Sequence, residues 1–335
     1  MTTPLESRRI VIAGASSLLG AELKTLLEES RFAASEFRLV DEETAAGTLT
    51  EAGGEAAVIQ PVEEDSFNKA WLVFFTGSPA FTSRNLDLVK NSGARIVDLS
   101  GASAGHADTQ SWLPKFDGPT GGVPNKSAMI FVVPSAPAEI VARLALSFRS
   151  LQLRTLTAVA FQPVSSSGGK AGIEELESQT GQLLSFQPLG KQVFDAQVAF
   201  AMLDRFGDAS GHKLDGSLEI LRREVRSCLP SEIAAPALQL LHAPVYYGTA
   251  VSACAFLDAA SDAATVAKTC VSAGFSVTTE DAAPSNITPA GEALLQLAPP
   301  RADASATGAW WFWAAADNLR LPAVNAVKLA EKLLE

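Results

Sequence analysis

The sequence predicts an α/β protein, with an N-terminal doubly wound parallel sheet followed by a second, α+β domain. Three observations carry this. Short β-branched and aromatic runs alternate with helical periodicity from Arg9 to Phe148. The first run ends at a glycine just where a helix begins. From Leu151 the pattern changes to strand-like alternation separated by long polar stretches.

Arg9-Ile10-Val11-Ile12-Ala13 is a buried strand that stops at Gly14, and Leu18, Leu19, Leu23, Leu26 and Leu27 then repeat at helical spacing. Phe37–Val40 closes a strand–helix–strand unit. Trp71–Phe75 and Arg95–Leu99 are two further buried strands, separated by a helix over Phe81–Ser92. Met129–Val133 adds another before a helix from Ala138 to Phe148. In the second half, Thr155–Phe161 alternates as a strand and a helix opens near Gly172. Gln187 to Ser210 is polar, and strands are expected over Pro244–Phe256 and Ala309–Ala315. Leu321–Leu334 has a helical apolar stripe and is expected to pack back on the first domain. Gly47–Glu55 and Ala259–Ala267 read as small-residue loops or helix surfaces. The expected domain boundaries are 1–134 with the returning segment 318–335, and 135–317.

Composition limits the function. A charge of −11 with no Lys or Arg run argues against a nucleic-acid partner. Cys228, Cys254 and Cys270 show no CxxC spacing, so neither a disulfide framework nor a metal site is expected. His106 and His212 sit in polar stretches and read as solvated. The segment before Arg9 is short and polar, and no apolar stretch has the length of a membrane span, which points to a cytoplasmic protein.

Gly14-Ala15-Ser16-Ser17-Leu18-Leu19-Gly20 lies where a strand turns into a helix, the geometry that brings backbone N–H groups against a pyrophosphate. At the end of the next strand stands Asp41. An acid there accepts hydrogen bonds from a ribose diol and repels a 2′-phosphate, so a bound dinucleotide would be NAD in preference to NADP. A solvated acidic turn is the other reading of Asp41-Glu42-Glu43.

A resemblance to the aspartate-semialdehyde dehydrogenase family covers nearly the whole chain. It is marked best by Phe161-Gln162-Pro163-Val164-Ser165-Ser166-Ser167-Gly168-Gly169-Lys170-Ala171-Gly172-Ile173-Glu174-Glu175-Leu176, similar to the family's Tyr-Gln-Ala-Val-Ser-Gly-Ala-Gly-x-x-Gly-Ile-Glu-Glu-Leu. It implies a Rossmann-like first domain and a second domain that builds a homodimer through an extensive sheet. It also implies cofactor contacts from Gly14, Ser16, Ser17, Leu18, Leu19 and Gly20, with Gly77 and Asn318 near the nicotinamide. Ser17 stands where the family has its middle glycine.

The same resemblance implies a catalytic set, and here the chain departs from it. The family attacks its aldehyde with a cysteine thiolate, uses a histidine as base and grips the substrate carboxylate with arginine. Pro134-Ser135-Ala136 puts Ala136 at the nucleophile position, with Ser135 read as a helix N-cap. His242-Ala243-Pro244-Val245-Tyr246-Tyr247-Gly248-Thr249 puts Thr249 at the base position and His242 at the arginine position. Ala104 replaces the phosphate-binding arginine. Gln162, Glu219 and Arg222 persist in the pocket pattern, although Glu219 and Arg222 also suit a plain surface pair. Thus nucleophile, base, substrate fork and phosphate grip are replaced together. The reading that follows is a non-catalytic dimeric scaffold or regulator, able to hold a nucleotide or small acid. The alternative is an NAD-dependent oxidoreductase with another substrate and no covalent intermediate. A third reading pairs this chain with an active paralogue.

Overall fold

The computed structural model describes residues 8–52, 54–114, 123–258 and 262–335. In chain order the elements are β1 (Arg9–Ala13), α1 (Leu18–Glu28), β2 (Glu36–Asp41), β3 (Leu49–Ala52), β4 (Glu55–Val58), β5 (Gln60–Pro61), β6 (Ala70–Phe75), α2 (Pro79–Ser92), β7 (Arg95–Asp98), β8 (Thr109–Ser111) and β9 (Ile130–Val132). They continue with α3 (Ala136–Ser147), β10 (Leu153–Gln162), α4 (Val164–Leu184), α5 (Leu214–Cys228), β11 (Ala237–His242), β12 (Thr249–Leu257) and α6 (Ala263–Ser272). The last are β13 (Phe275–Val277), β14 (Leu295–Leu297), β15 (Arg301–Ala302), β16 (Ala309–Ala316) and α7 (Arg320–Leu334). Two units result, one of residues 1–135 and 322–335 and the other of residues 136–321.

In the first unit, seven strands lie in the order β5-β2-β1-β6-β7-β9-β8, every pair parallel. The pleat sends Ile10 and Ile12 to one side, against Leu23 and Leu27 of α1 and Ala326 and Leu329 of α7. Val11 and Ala13 pack on the other side with Phe81, Leu86 and Val89 of α2. Both faces are covered, which is why β1 reads as an unbroken apolar run. The strand order reverses between β1 and β6, placing a crevice at their carboxyl ends.

The second unit is built on a mixed sheet, β11-β10-β12-β16-β14-β13, with β15 paired to β16. Helix α3 packs on β10, β12 and β16, and Phe148 meets Phe312 with ring centroids 4.9 Å apart. The opposite face carries two cross-strand rows, Thr157–Cys254–Trp311 and Val159–Ser252–Trp313. They are half-buried or exposed, and Phe161 leans on Trp313 at 5.8 Å.

Several boundaries differ from expectation, each for a local reason. Helix α4 starts at Val164 rather than near Gly172, because the Val164 and Ser165 N–H groups find the Val245 and Tyr246 carbonyls. It bends at Gly169, whose φ of +57° and ψ of −138° are non-helical. The expected strand from Pro244 begins only at Thr249: Pro244 has no N–H for a ladder, and Gly248 turns the chain at φ +78°. The stretch Gly47–Glu55 contains β3 and the start of β4, an antiparallel hairpin. Most of Ala259–Ala267 is α6 and its Asp262 cap, while 259–261 lie outside the described residues. Among the described residues, no helix is long and apolar enough to cross a membrane.

Candidate functional site

In the first unit the glycine loop, Asp41 and Gly77 converge at the crevice. Gly14 has φ +92°, and a Cβ there would sit 2.1 Å from the Gly77 nitrogen, so the loops after β1 and β6 touch backbone to backbone. Thr76, which sequence reasoning did not single out, locks this contact by donating from its hydroxyl to the Gly14 carbonyl at 3.0 Å. Ser17 is the N-cap of α1: its Oγ accepts from the Gly20 N–H and donates to the Thr76 carbonyl, both at 2.9 Å. The buried Asp41 carboxylate accepts from the Ser16 N–H and the Glu42 N–H, each at 2.8 Å. Leu18 and Leu19, in the first turn of α1, keep N–H groups with no partner among the described residues. These two donors sit at the positive end of the helix and suit a phosphate. Arg84 of α2 is paired with Glu42 at 2.5 Å.

The loop after β7 is closed by its own acid. Asp98 is fully buried, and its carboxylate accepts from the Ser100 N–H and hydroxyl and from the Ser103 N–H at 2.6–2.8 Å. Leu99 and Ala104, either side of this turn, are both buried. Ala104 therefore presents only a buried methyl group.

In the second unit, Ala136 is the first residue of α3 and is buried. Thr249 is buried, and its hydroxyl donates to the Phe161 carbonyl at 3.0 Å. Gln162 and His242 are register partners at the ends of β10 and β11. His242 is fully buried beside Phe206 and Phe194, with ring centroids 5.6 and 6.3 Å away. Its Nε2 lies 3.2 Å from the Val198 carbonyl. Among the described residues, its Nδ1 and the Gln162 Oε1 are buried without a hydrogen-bond partner. Glu219 and Arg222 form an exposed ion pair on α5. His212, expected to be solvated, is instead half-buried against Phe194 at 5.8 Å.

Asn318 is a structural hub. Its Oδ1 accepts from the Gly248 N–H at 2.7 Å, and its Nδ2 donates to the Ser165 and Ser166 hydroxyls at 3.1 and 2.9 Å. Two residues that sequence reasoning missed organise the chain after α4. Glu175 accepts from the Val193 and Phe194 N–H groups at 2.6 and 3.2 Å. Gln179 accepts from the Val198 and Ala199 N–H groups and donates to the Gly190 and Ala196 carbonyls. Glu175 falls inside the quoted Gly-Ile-Glu-Glu-Leu match; Gln179 carries no sequence signal.

Burial lowers the His242 pKa below its ordinary 6.5, outweighing the Val198 contact that raises it. Neutral in the fold, the ring protonates more readily in the unfolded chain. Its stabilisation is therefore present above about pH 6.5 and lost as pH falls, at up to about 1.4 kcal/mol per pH unit. His212, also lowered by burial, acts in the same direction. Urea midpoints measured from pH 7.5 to 5.5 should fall less steeply in His242→Asn than in the unmodified protein; parallel slopes would refute this assignment.

Residues 9–143 match the model of the semialdehyde dehydrogenase NAD binding domain, and residues 145–321 match the semialdehyde dehydrogenase dimerisation domain. This chain belongs to the semialdehyde dehydrogenase family. It is 30% identical over 339 residues to a USG-1 protein homolog of Azotobacter vinelandii, covering 97% of each chain. It is 24% identical over 332 residues to aspartate-semialdehyde dehydrogenase 2 of Vibrio cholerae, again covering 97% of each. Among solved structures it is similar to that of a probable aspartate-semialdehyde dehydrogenase from Pseudomonas aeruginosa. The TM-score is 0.83 at 25% identity, covering 98% of this chain and 99% of that one.

Proposed function

We propose that this semialdehyde dehydrogenase family member is a non-catalytic dimeric scaffold or regulator that holds NAD in preference to NADP. The observation that carries the first half is the state of the reaction's positions. Ala136 offers a methyl group, Thr249 spends its hydroxyl on a carbonyl, and His242 is buried, which lowers its pKa. A methyl group cannot form a thiolate, a hydroxyl cannot take a proton near neutral pH, and a buried imidazole lacks the two-pronged donor that grips a carboxylate. The alternative oxidoreductase needs a group that moves protons at a substrate, and His242 lies packed against two phenylalanines. Ala136→Cys alone is expected to give no aldehyde oxidation, since base and clamp are still missing. Phosphate-dependent reduction of a nicotinamide cofactor by that variant would contradict the proposal.

The cofactor half rests on the first unit. The Leu18 and Leu19 N–H groups fit a pyrophosphate, and Asp41, oriented by two backbone donors, suits a ribose diol. Arg84, engaged by Glu42, is not free for a 2′-phosphate. Bound dinucleotide would supply a hydride acceptor, which the residues described leave without a reaction partner. Isothermal titration should show NAD binding at least tenfold tighter than NADP; equal or tighter NADP binding would overturn this half. The dimer reading rests on the dimerisation-domain match and on the half-buried to exposed Thr157–Cys254–Trp311 and Val159–Ser252–Trp313 rows of the open sheet face.

A further inference from the structure

Parallel pairing of β10 with β11 begins only at Thr157 and Ala237. Pro236, just before Ala237, has no N–H to give a ladder, and the chain ahead of it is the 229–235 loop. Leu153–Leu156 are therefore paired on one side only, with β12. Main-chain groups along a strand serve both of its sides, so half of those in this stretch point where β11 does not reach. A cleft of about 450 Å³ lies along this open edge, within the size range of sites that enclose a ligand. One wall is formed by residues 152–157 with Ala145 of α3 and Arg149, and the other by residues 232–235 of the loop. That loop is held in shape by Arg226, which donates to the Ile233, Leu229 and Pro230 carbonyls at 2.7, 3.0 and 2.6 Å. The charges along the cleft are placed but unused. Arg149 and Glu232 both line it, and neither has a hydrogen-bond or ion-pair partner among the described residues. Arg154, the charged residue that could guard a bare edge, is drawn instead to Asp258.

We propose that this cleft binds an extended peptide segment of a partner protein, which adds to β10 as a further strand where β11 stops. Main-chain bonds to Leu153–Leu156 supply the affinity. An acidic group on the segment meets Arg149 and a basic group meets Glu232, and these two charges select the partner. Four edge residues at about 3.3 Å each span about 13 Å, so a segment of four or five residues fills the edge. A free amino acid would satisfy both charges but leave the edge N–H and C=O groups unmet, which favours the peptide. Because Arg226 already fixes the loop, the segment pays no cost to order that wall. The cleft lies apart from Ala136, Thr249 and His242, and the proposal stands whether or not the chain holds a nucleotide.

Fluorescence anisotropy with two fluorescein-labelled, end-capped pentapeptides, Asp-Val-Thr-Val-Lys and Lys-Val-Thr-Val-Asp, tests this. The two orders cover both strand directions. The unmodified protein should bind one of them with a dissociation constant below about 1 mM. Methylating the three central backbone nitrogens of that peptide removes its edge donors and keeps both charges, so binding should be lost. Arg149 is exposed, and Arg149→Glu should leave the circular dichroism spectrum unchanged while weakening binding about tenfold. Exchanging the peptide's Asp for Lys should restore binding to that variant. Three results would each overturn the proposal: no binding of either peptide, equal binding of the methylated peptide, or binding indifferent to Arg149→Glu. The second would mean a contact of charges without a strand, and the third a peptide seated away from the cleft.

Discussion

Gly248→Ala is expected to cost about 3 kcal/mol or more of folding stability. Gly248 sits at φ +78°, and a Cβ there would lie 1.9 Å from the Asn286 carbonyl oxygen, a backbone atom that cannot swing aside. Left-handed strain and overpacking each cost roughly 1–3 kcal/mol. The position is also a stitch: the Gly248 N–H reaches Asn318, and the Asn286 side chain donates to the Tyr247 carbonyl at 2.9 Å. Gly47→Ala is the control, since Gly47 has φ +83° but nothing within 4 Å of an added Cβ. It should cost about 1 kcal/mol, from the backbone alone. Equal losses in urea unfolding for the two variants would show that the Asn286 contact relaxes freely.

Gln179→Ala should be nearly as damaging, and its effect should be confined to the 185–203 segment that follows α4. The side chain is fully buried and serves two main-chain donors and two main-chain acceptors. Stranding buried polar groups costs about 1–3 kcal/mol each, reduced where water enters, so a total on the order of 3 kcal/mol is expected. Hydrogen exchange at Val198 and Ala199 should lose its protection while β10 and β12 keep theirs. Retained protection at those two amides would mean that the 185–203 segment is held by something other than Gln179.

The first unit was legible in the sequence because its strands are buried on both faces and so read as continuous apolar runs. The hairpin of β3 and β4 was not, since Thr50, Glu51 and Ala56 give neither an apolar run nor a clear alternation. The start of α4 was missed because its first N–H groups are satisfied by carbonyls far later in the chain, at Val245 and Tyr246. The positions of the candidate site came from resemblance, residue by residue. What resemblance could not supply was their condition: the burial of His242 against Phe194 and Phe206, or the full engagement of Asn318 within its own unit. Those depend on the irregular segment after α4 and on Gly248, which carry no periodicity.

The way α7 completes the first unit has a consequence for synthesis. The strands of that sheet are all translated by Val132, yet Ala323, Ala326, Leu329 and Ala330, which cover Ile10 and Ile12, follow only after the second unit. On the ribosome, the side of the nascent sheet that α1 covers only in part therefore lacks its second helix while residues 136–321 emerge. Apolar surface left open in that interval invites chaperone holding or aggregation, and the turns of α7, made only after the second unit, are the ones that end it.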